Sequence, residues 1–301
     1  MSHDVHHFAM GMWVFLLSYA TAVMGSFVGL SCVRRSLEES RRSGNLWLLM
    51  ASLSIGGVGI WLMHFIGMMG FSVPGTTIRY ELAPTVFSVV LAVVATLVGL
   101  RIADVHDVSK HRIPESVRLL IGGLLMGAAV SMMHYSGMYA IRIRGAIEHE
   151  TGYVIASVII GVVASTAALA LARRTRRLEI RVVAAFVMGC AVVALHYTGM
   201  AGVRVTLDPS MPAPEGMTVM SLLFPAFVLG IIVLAVPITA LLLASDPEDA
   251  VRDAGSGSGR RSRNGRWTAT RSPDPTCENS VPDRSRAVKC LSFSASADLH
   301  L

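Results

Sequence analysis

The chain has 301 residues, of which 53% are hydrophobic and 15% are charged, with a formal net charge of +6 and a mean hydropathy of +0.58. An average soluble protein has about 25% charged residues, so this composition excludes an ordinary soluble enzyme and a chain that is disordered throughout. Four cysteines in a chain of this length also exclude a small disulfide-rich scaffold. The composition is typical of a polytopic membrane protein, provided that the apolar residues form runs of about 20.

Seven apolar stretches are long enough to cross a bilayer, for which a helix needs about 20 residues. The sequence therefore predicts an all-α transmembrane bundle with seven spans, which are Met10–Val33, Leu46–Gly70, Leu82–Arg101, Arg118–Ala140, Tyr153–Leu171, Val182–Val203 and Thr218–Leu243. Glycine and proline inside these stretches do not count against helices in lipid. The predicted domains are a histidine-containing N-terminal segment at 1–9, a membrane domain at 10–245 and a disordered tail at 246–301.

The basic residues predict the orientation of the bundle. Lys and Arg are enriched in cytoplasmic connections, and 22 of the 26 in this chain follow spans one, three, five and seven. We therefore expect a multi-pass protein of the cell membrane, surrounded by the lipid bilayer, with its N-terminus outside and its C-terminus in the cytoplasm. The tail carries nine basic and eight acidic residues, so its charge gives no reason to expect nucleic-acid binding.

One sequence motif occurs three times, in spans two, four and six. It reads G-x6-H-[F/Y]-x-G-M, and its histidines are the three that lie inside the predicted spans: His64, His134 and His196. Alternate spans run in the same direction, and each motif lies near the outer end of its span. The three histidines are therefore predicted to lie at one depth, close to the extracytoplasmic face.

The motif combines imidazole with thioether side chains. An ionisable group inside a membrane is costly, and it marks a functional site by default. Neutral imidazole binds copper, zinc, iron and nickel, whereas thioether sulfur favours Cu(I). The three motifs contain no carboxylate, which zinc would more often recruit. The sequence therefore predicts a copper site, of one or two ions, at which the histidines meet.

Two other positions of the motif have candidate roles. The glycine three residues after each histidine, at Gly67, Gly137 and Gly199, is predicted to let a neighbouring helix approach closely. The hydroxyls of Tyr135 and Tyr197 would orient the metal-binding imidazoles or anchor the helix ends at the membrane interface. The sequence alone leaves both roles open for the tyrosines.

The tetrapeptides Met63–Ile66, Met133–Ser136 and Leu195–Thr198 resemble the repeated Met-His-Tyr-Thr signature of the bacterial MHYT domain. The resemblance covers residues 8–245 and includes the alternating placement of the motifs. It implies an integral-membrane sensory domain that binds copper near the outer face and senses oxygen, carbon monoxide, nitric oxide or the metal itself. The metal ligands that it implies are His64, His134, His196, Met63, Met68, Met133, Met138 and Met200.

Two positions depart from the family signature. Leu195 replaces the methionine before the third histidine, so no ligand is implied there, and Phe65 replaces tyrosine, which excludes a hydroxyl role in the first motif. Members of this family often carry cytoplasmic cyclase, phosphodiesterase or kinase domains. The tail at 246–301 shows no such signature, and we expect a non-enzymatic sensor. Its output would be a cytoplasmic signalling partner, an effect of the tail or a movement of the helices themselves.

Two other functions would use the same residues. A copper transporter or uptake protein would need polar groups that continue across the membrane, and the spans contain few besides serine and threonine and no carboxylate. A haem-binding membrane cytochrome would use two of the histidines as axial ligands, which leaves the thioethers without a role. A copper-binding sensor is therefore the leading hypothesis.

Overall fold

Seven helices of membrane-spanning length form the bundle in the computed structural model, which describes residues 10–103, 114–174 and 177–243. The first span is α1 (Met12–Glu38), and the second consists of α2 (Arg41–Ser52), a π-helical segment (Leu53–Leu62) and α3 (Met63–Met68). The other spans are α4 (Leu82–Ile102), α5 (Glu115–Tyr139), α6 (Thr151–Arg174), α7 (Leu178–Ala201) and α8 (Val219–Leu243). The predicted all-α bundle of seven spans is confirmed, whereas the segments at 1–9 and 246–301 lie outside the described residues.

Some helices extend beyond the apolar stretches that predict them. α1 continues to Glu38, which pairs with Arg34 one turn earlier at 3.1 Å. α5 begins at Glu115, whose carboxylate pairs with Arg173 of α6 at 3.4 Å. Hydropathy detects only the part of a helix that lies in lipid, and charged pairs prolong these two helices past it.

The π-helical segment is the irregular part of the second span. A Cβ atom on Gly56 would lie 2.6 Å from the carbonyl oxygen of Ala92 on α4, and Gly59 packs against Gly25 of α1. α1 and α4 therefore contact the segment closely on two sides. π-Helical turns are rare and are frequent at functional sites. This segment directly precedes α3, so it sets the rotation at which His64 projects from the span.

Spans two, four and six form the inside of the bundle. α4 packs between the π-helical segment and α5, α6 packs between α5 and α7, and α1 packs between α7 and the π-helical segment. Each inner span thus has an outer helix on either side, and the three inner spans surround a common axis. α8 lies outside this ring, against α1 and the π-helical segment. Only 11% of its most apolar 18-residue stretch is buried inside the protein.

Two small antiparallel sheets lie at the end of the bundle where the inner spans end, which we call the sheet end. β1 (Arg79–Tyr80) follows α3 and pairs with β2 (Ile141–Arg142), which follows α5. β3 (Gly145–His149) pairs with β4 (Val203–Leu207), which follows α7, with His149 opposite Val203. The predicted all-α bundle contains no strands here. Each sheet ties together the ends of two inner spans.

Candidate metal centre

The three motif histidines meet inside the bundle near the sheet end. His64 of α3, His134 of α5 and His196 of α7 are each 1% exposed. The Nδ1 atom of His64 lies 3.0 Å from that of His196 and 3.2 Å from that of His134. The ring centroids are 4.9–5.3 Å apart, and the rings are steeply inclined to one another. The histidines that the sequence predicts at one depth are therefore in direct contact.

Helix geometry explains why the motif brings three imidazoles together. Each histidine lies four or five residues before the last residue of its helix. Because the inner spans run in the same direction, this equal spacing places the imidazoles at equal depth. A shift of one residue would move an imidazole by about 1.5 Å along the axis and turn it by about 100°. The constant position of histidine in the motif is thus a geometric requirement of the cluster.

The glycine of each motif forms a niche for the histidine of another motif. In each pair, a Cβ atom on the glycine would lie 2.5–2.6 Å from the histidine Nε2 atom. The pairs are Gly137 with His64, Gly199 with His134, and Gly67 with His196. The motif predicts close approach of a neighbouring helix at these glycines, but the atoms nearest to each belong to an imidazole ring rather than to a helix backbone. The three pairs close a cycle around the bundle axis.

The donor arrangement fits a metal ion bound through Nδ1. A neutral imidazole has one protonated nitrogen and one lone pair, so three converging Nδ1 atoms cannot all be satisfied by one another. Among the described residues, the Nε2 atoms of His64 and His134 have no hydrogen-bond partner. A central ion would take all three lone pairs, and bonds of about 2.0 Å would place the nitrogens about 3.3–3.5 Å apart. The observed Nδ1 separations are only a few tenths of an ångström shorter.

The five methionines of the predicted ligand set are all buried. Met63 packs with Ala22 and Val193 in a small apolar cluster of its own. The other four belong to the main apolar core and are at most 2% exposed: Met68, Met133, Met138 and Met200. Flexible thioether side chains fill core space as readily as they bind soft metals. Their role as ligands therefore stays a prediction.

The motif tyrosines contact the histidines that precede them. The ring centroid of Tyr135 lies 4.9 Å from that of His134, and the ring centroid of Tyr197 lies 4.8 Å from that of His196. The Tyr135 hydroxyl is 2.7 Å from the Oγ atom of Ser157 on α6. This hydroxyl therefore links α5 to α6 and does not bind an imidazole nitrogen.

A fourth histidine next to the cluster was not predicted. His149 at the end of β3 is half-buried, and its ring centroid lies 5.3 Å from that of Tyr135. Burial lowers the pKa of His149 below its ordinary value, because desolvation disfavours the charged form. The rings of His134, Tyr135 and His149 thus form a row that leads from the cluster to the sheets.

Comparison with known protein families detects the same repeat. The MHYT family model, described as "Bacterial signalling protein N terminal repeat", matches residues 57–113, 127–185 and 189–257. Each match begins at the first glycine of one of the three motifs. No solved structure matches the chain.

Curated relatives match about two thirds of the chain. This chain is 37% identical over 195 residues to the bifunctional diguanylate cyclase/cyclic di-GMP phosphodiesterase MucR of Pseudomonas aeruginosa. The match covers 63% of this chain and 27% of MucR. The chain is 32% identical over 203 residues to the signaling protein YkoW of Bacillus subtilis, covering 65% of this chain and 24% of YkoW. The chain thus spans about a quarter of the length of these relatives. With three matched repeats, the chain belongs to the MHYT family of bacterial signalling proteins.

Proposed function

We propose that this protein is an integral-membrane sensor that binds copper between His64, His134 and His196. The observation that carries the proposal is the convergence of the three buried Nδ1 atoms, which are 3.0 and 3.2 Å apart in two of the pairs. Imidazole nitrogen favours copper over metals that prefer oxygen ligands, and the thioether sulfurs of the predicted ligand set would favour Cu(I). Within the described part of the chain, the cluster contains no carboxylate or thiol. The space between the three Nδ1 atoms suits one ion.

The proposed orientation places the sheet end outside the cell. Lys and Arg are concentrated in the connections at the opposite end, which favours a cytoplasmic location for that end. In this orientation the cluster is buried near the extracytoplasmic face, and metal ions and dissolved gases would approach it from outside. The C-terminal tail would then lie in the cytoplasm, where it would contact a signalling partner.

Occupation of the site would change the packing of the inner spans. The Nδ1 atoms that would hold the ion are 3.0 and 3.2 Å apart in two of the pairs, so an ion between them would displace the imidazoles. Each imidazole rests against a glycine of another inner span, and its displacement would therefore move helix backbone. Packed helices have discrete arrangements, which lets a small shift change the packing. Copper held by His64, His134 and His196 would supply a centre that binds a diatomic gas such as oxygen, carbon monoxide or nitric oxide.

The two other functions are less well supported by the geometry. A cation that crosses the membrane would need polar ligands beyond the cluster, but the residues one turn before the three histidines are apolar: Ile60, Val130 and Val192. A bis-histidine haem needs its porphyrin between two imidazole nitrogens. The Nδ1 atoms of the cluster are in direct contact and leave no gap for it.

Metal analysis of the purified protein tests the proposal. After loading with Cu(I) and removal of unbound ions, the wild type is expected to retain copper and to show nitrogen ligation in copper K-edge spectra. The triple variant His64→Ala/His134→Ala/His196→Ala is expected to retain none. His149→Ala is the matched control, because His149 lies outside the cluster, and it should retain copper like the wild type.

Size-exclusion chromatography and circular dichroism establish that each variant is folded. If the triple alanine variant does not fold, the single glutamine substitutions at the same positions replace it. Equal copper retention in a folded triple variant and the wild type would overturn the proposal.

A further inference from the structure

A small cavity, partly open to the outside of the bundle, lies beside the histidine cluster on the side away from the sheets. Its volume is about 30 Å³. The residue four positions before each histidine lines it, and these residues are Ile60, Val130 and Val192. In α5 and α7, residues four apart share a helix face, so the cavity lies about one helical turn, roughly 5.4 Å along the axis, from the imidazoles.

The lining of the cavity is almost entirely apolar. Met126 and Met188 line it from α5 and α7, and Ser165 of α6 provides the one hydroxyl among the lining residues. A buried water needs about two to four polar partners, which this lining does not offer. By the same measure of volume, about 10–15 Å³ is enough to hold one water, and the cavity exceeds this. The lining therefore disfavours water, and the cavity is large enough for a molecule of two or three atoms.

Small residues line the partly open side of the cavity. Ala164 of α6 and Ala191 of α7 both line it, and both are only partly buried. A nonpolar molecule dissolved in the hydrocarbon would thus have a route past small side chains between α6 and α7. An ion or a polar solute has no such route, because transfer into hydrocarbon is costly for it.

We propose that this cavity is a binding site for a small, uncharged, apolar molecule that enters from the lipid and is held one turn from the histidine cluster. An occupant contacts the turns that carry all three histidines, so its presence alters the packing on which the imidazoles depend. The site deepens the proposed sensory function and rests on that function for its consequence at the metal. Binding in the cavity itself requires no metal.

Molecular oxygen, which is paramagnetic, is the probe that tests this site. Metal-free protein with labelled isoleucine and methionine methyl groups is placed in lipid nanodiscs under increasing oxygen pressure. The methyl signals of Ile60 and Met188 are expected to show accelerated relaxation that saturates with pressure. Relaxation of the lipid-facing Ile159 methyl, which is 57% exposed, should increase linearly, because that residue contacts oxygen dissolved in lipid.

Two variants of α6 decide the outcome. Ala164→Leu fills the cavity and is expected to abolish the saturable relaxation of Ile60 and Met188. Ala167→Leu is the matched control on the lipid-facing surface of the same helix, and it should preserve that relaxation. Val130→Ala enlarges the cavity and should strengthen the effect, which provides a second test if Ala164→Leu does not fold. Identical relaxation in the wild type and in the folded filled variant would overturn the proposal.

The failure of this inference is distinguishable from the failure of the proposed function. Saturable oxygen relaxation in the metal-free protein, together with no copper retention in the loading experiment, would support the cavity site and refute the copper sensor. Copper retention without saturable relaxation would support the copper site and refute the cavity site.

Discussion

The Nε2 atom of His64 lies 2.5 Å from the place that a Cβ atom would occupy on Gly137. No side chain larger than hydrogen fits at position 137 unless the imidazole moves. The same relationship joins His134 to Gly199. Each repeat therefore contributes one histidine to the cluster and one niche to another repeat. The glycine of each motif fits the histidine of another copy of the same motif.

Substitution of Gly137 by alanine is expected to weaken copper binding about 10- to 100-fold, which is the usual cost of disturbing groups that position metal ligands. The added methyl group displaces the imidazole of His64 and moves its Nδ1 atom relative to those of His134 and His196. Competition titration with a Cu(I) chelator measures the affinity. Gly152→Ala is the control, because nothing lies within 4 Å of a Cβ atom at that position of α6. Unchanged affinity in Gly137→Ala would refute the role of the niche.

Removal of the Tyr135 hydroxyl is expected to lower stability without changing the copper content. Ser157 Oγ lies 2.8 Å from the carbonyl oxygen of Val154, to which it donates, so the Tyr135 hydroxyl is the donor to Ser157. Loss of this hydrogen bond in Tyr135→Phe should lower the free energy of unfolding by about 1 kcal/mol. Unfolding in detergent, followed by circular dichroism, measures the change.

A double-mutant cycle separates the hydrogen bond from other effects of the Tyr135 substitution. Ser157→Ala removes the same interaction, so the double variant should lose less stability than the sum of the two single variants. Strict additivity would mean that the two hydroxyls do not interact. Loss of copper in Tyr135→Phe would instead indicate that the hydroxyl acts on His134.

The stability of the protein is expected to depend on pH through His149. Burial lowers the pKa of His149 below its ordinary value of 6.5, so the unfolded chain takes up this proton before the folded protein does. The contribution of His149 to stability is therefore present above pH 6.5 and is lost as the pH falls through the folded-state pKa. The Tm should fall more steeply below pH 6.5 in the wild type than in His149→Gln, which does not titrate. Parallel Tm curves for the two proteins would contradict this expectation.

Deletion of α8 is expected to preserve copper binding. This helix packs on the outside of the ring, and Gly230 touches the side chain of Leu62 in the π-helical segment. In a membrane, lipid tails replace such apolar contacts at little cost. A chain that ends at Thr218 should therefore retain copper to the same extent as one that ends at Ser245. Loss of copper in the shorter chain alone would show that α8 supports the second span directly.

The sequence was sufficient to predict the spans and the meeting of the histidines. The spans follow from the length of the apolar runs, and the cluster follows from the equal positions of His64, His134 and His196 in spans of the same direction. The glycine niches were not predictable, because each pairs residues of different repeats. The π-helical segment was not predicted either. An apolar run rich in glycine is compatible both with the hydrogen bonds to residue i−4 of an α-helix and with those to residue i−5 of a π-helix.

The strands at the sheet end had a weak signal in the sequence. Residues 203–207 alternate apolar and polar side chains, as a half-buried strand does. Alternation over so few residues is hard to distinguish from the end of a membrane span, and Val203 was assigned to the sixth span. His149 was missed for the same reason, because its proximity to Tyr135 depends on the pairing of β3 with β4.

The cyclic pairing of histidines with glycines has a consequence for the biogenesis of the protein. A chain that has inserted two of the three repeats has two of the three imidazoles, and His134 still lacks its niche at Gly199. The site is therefore created by the last inner span to emerge during synthesis. Copper would then bind only after α7 has been inserted, and a copy that stalls before α7 would lack the complete site.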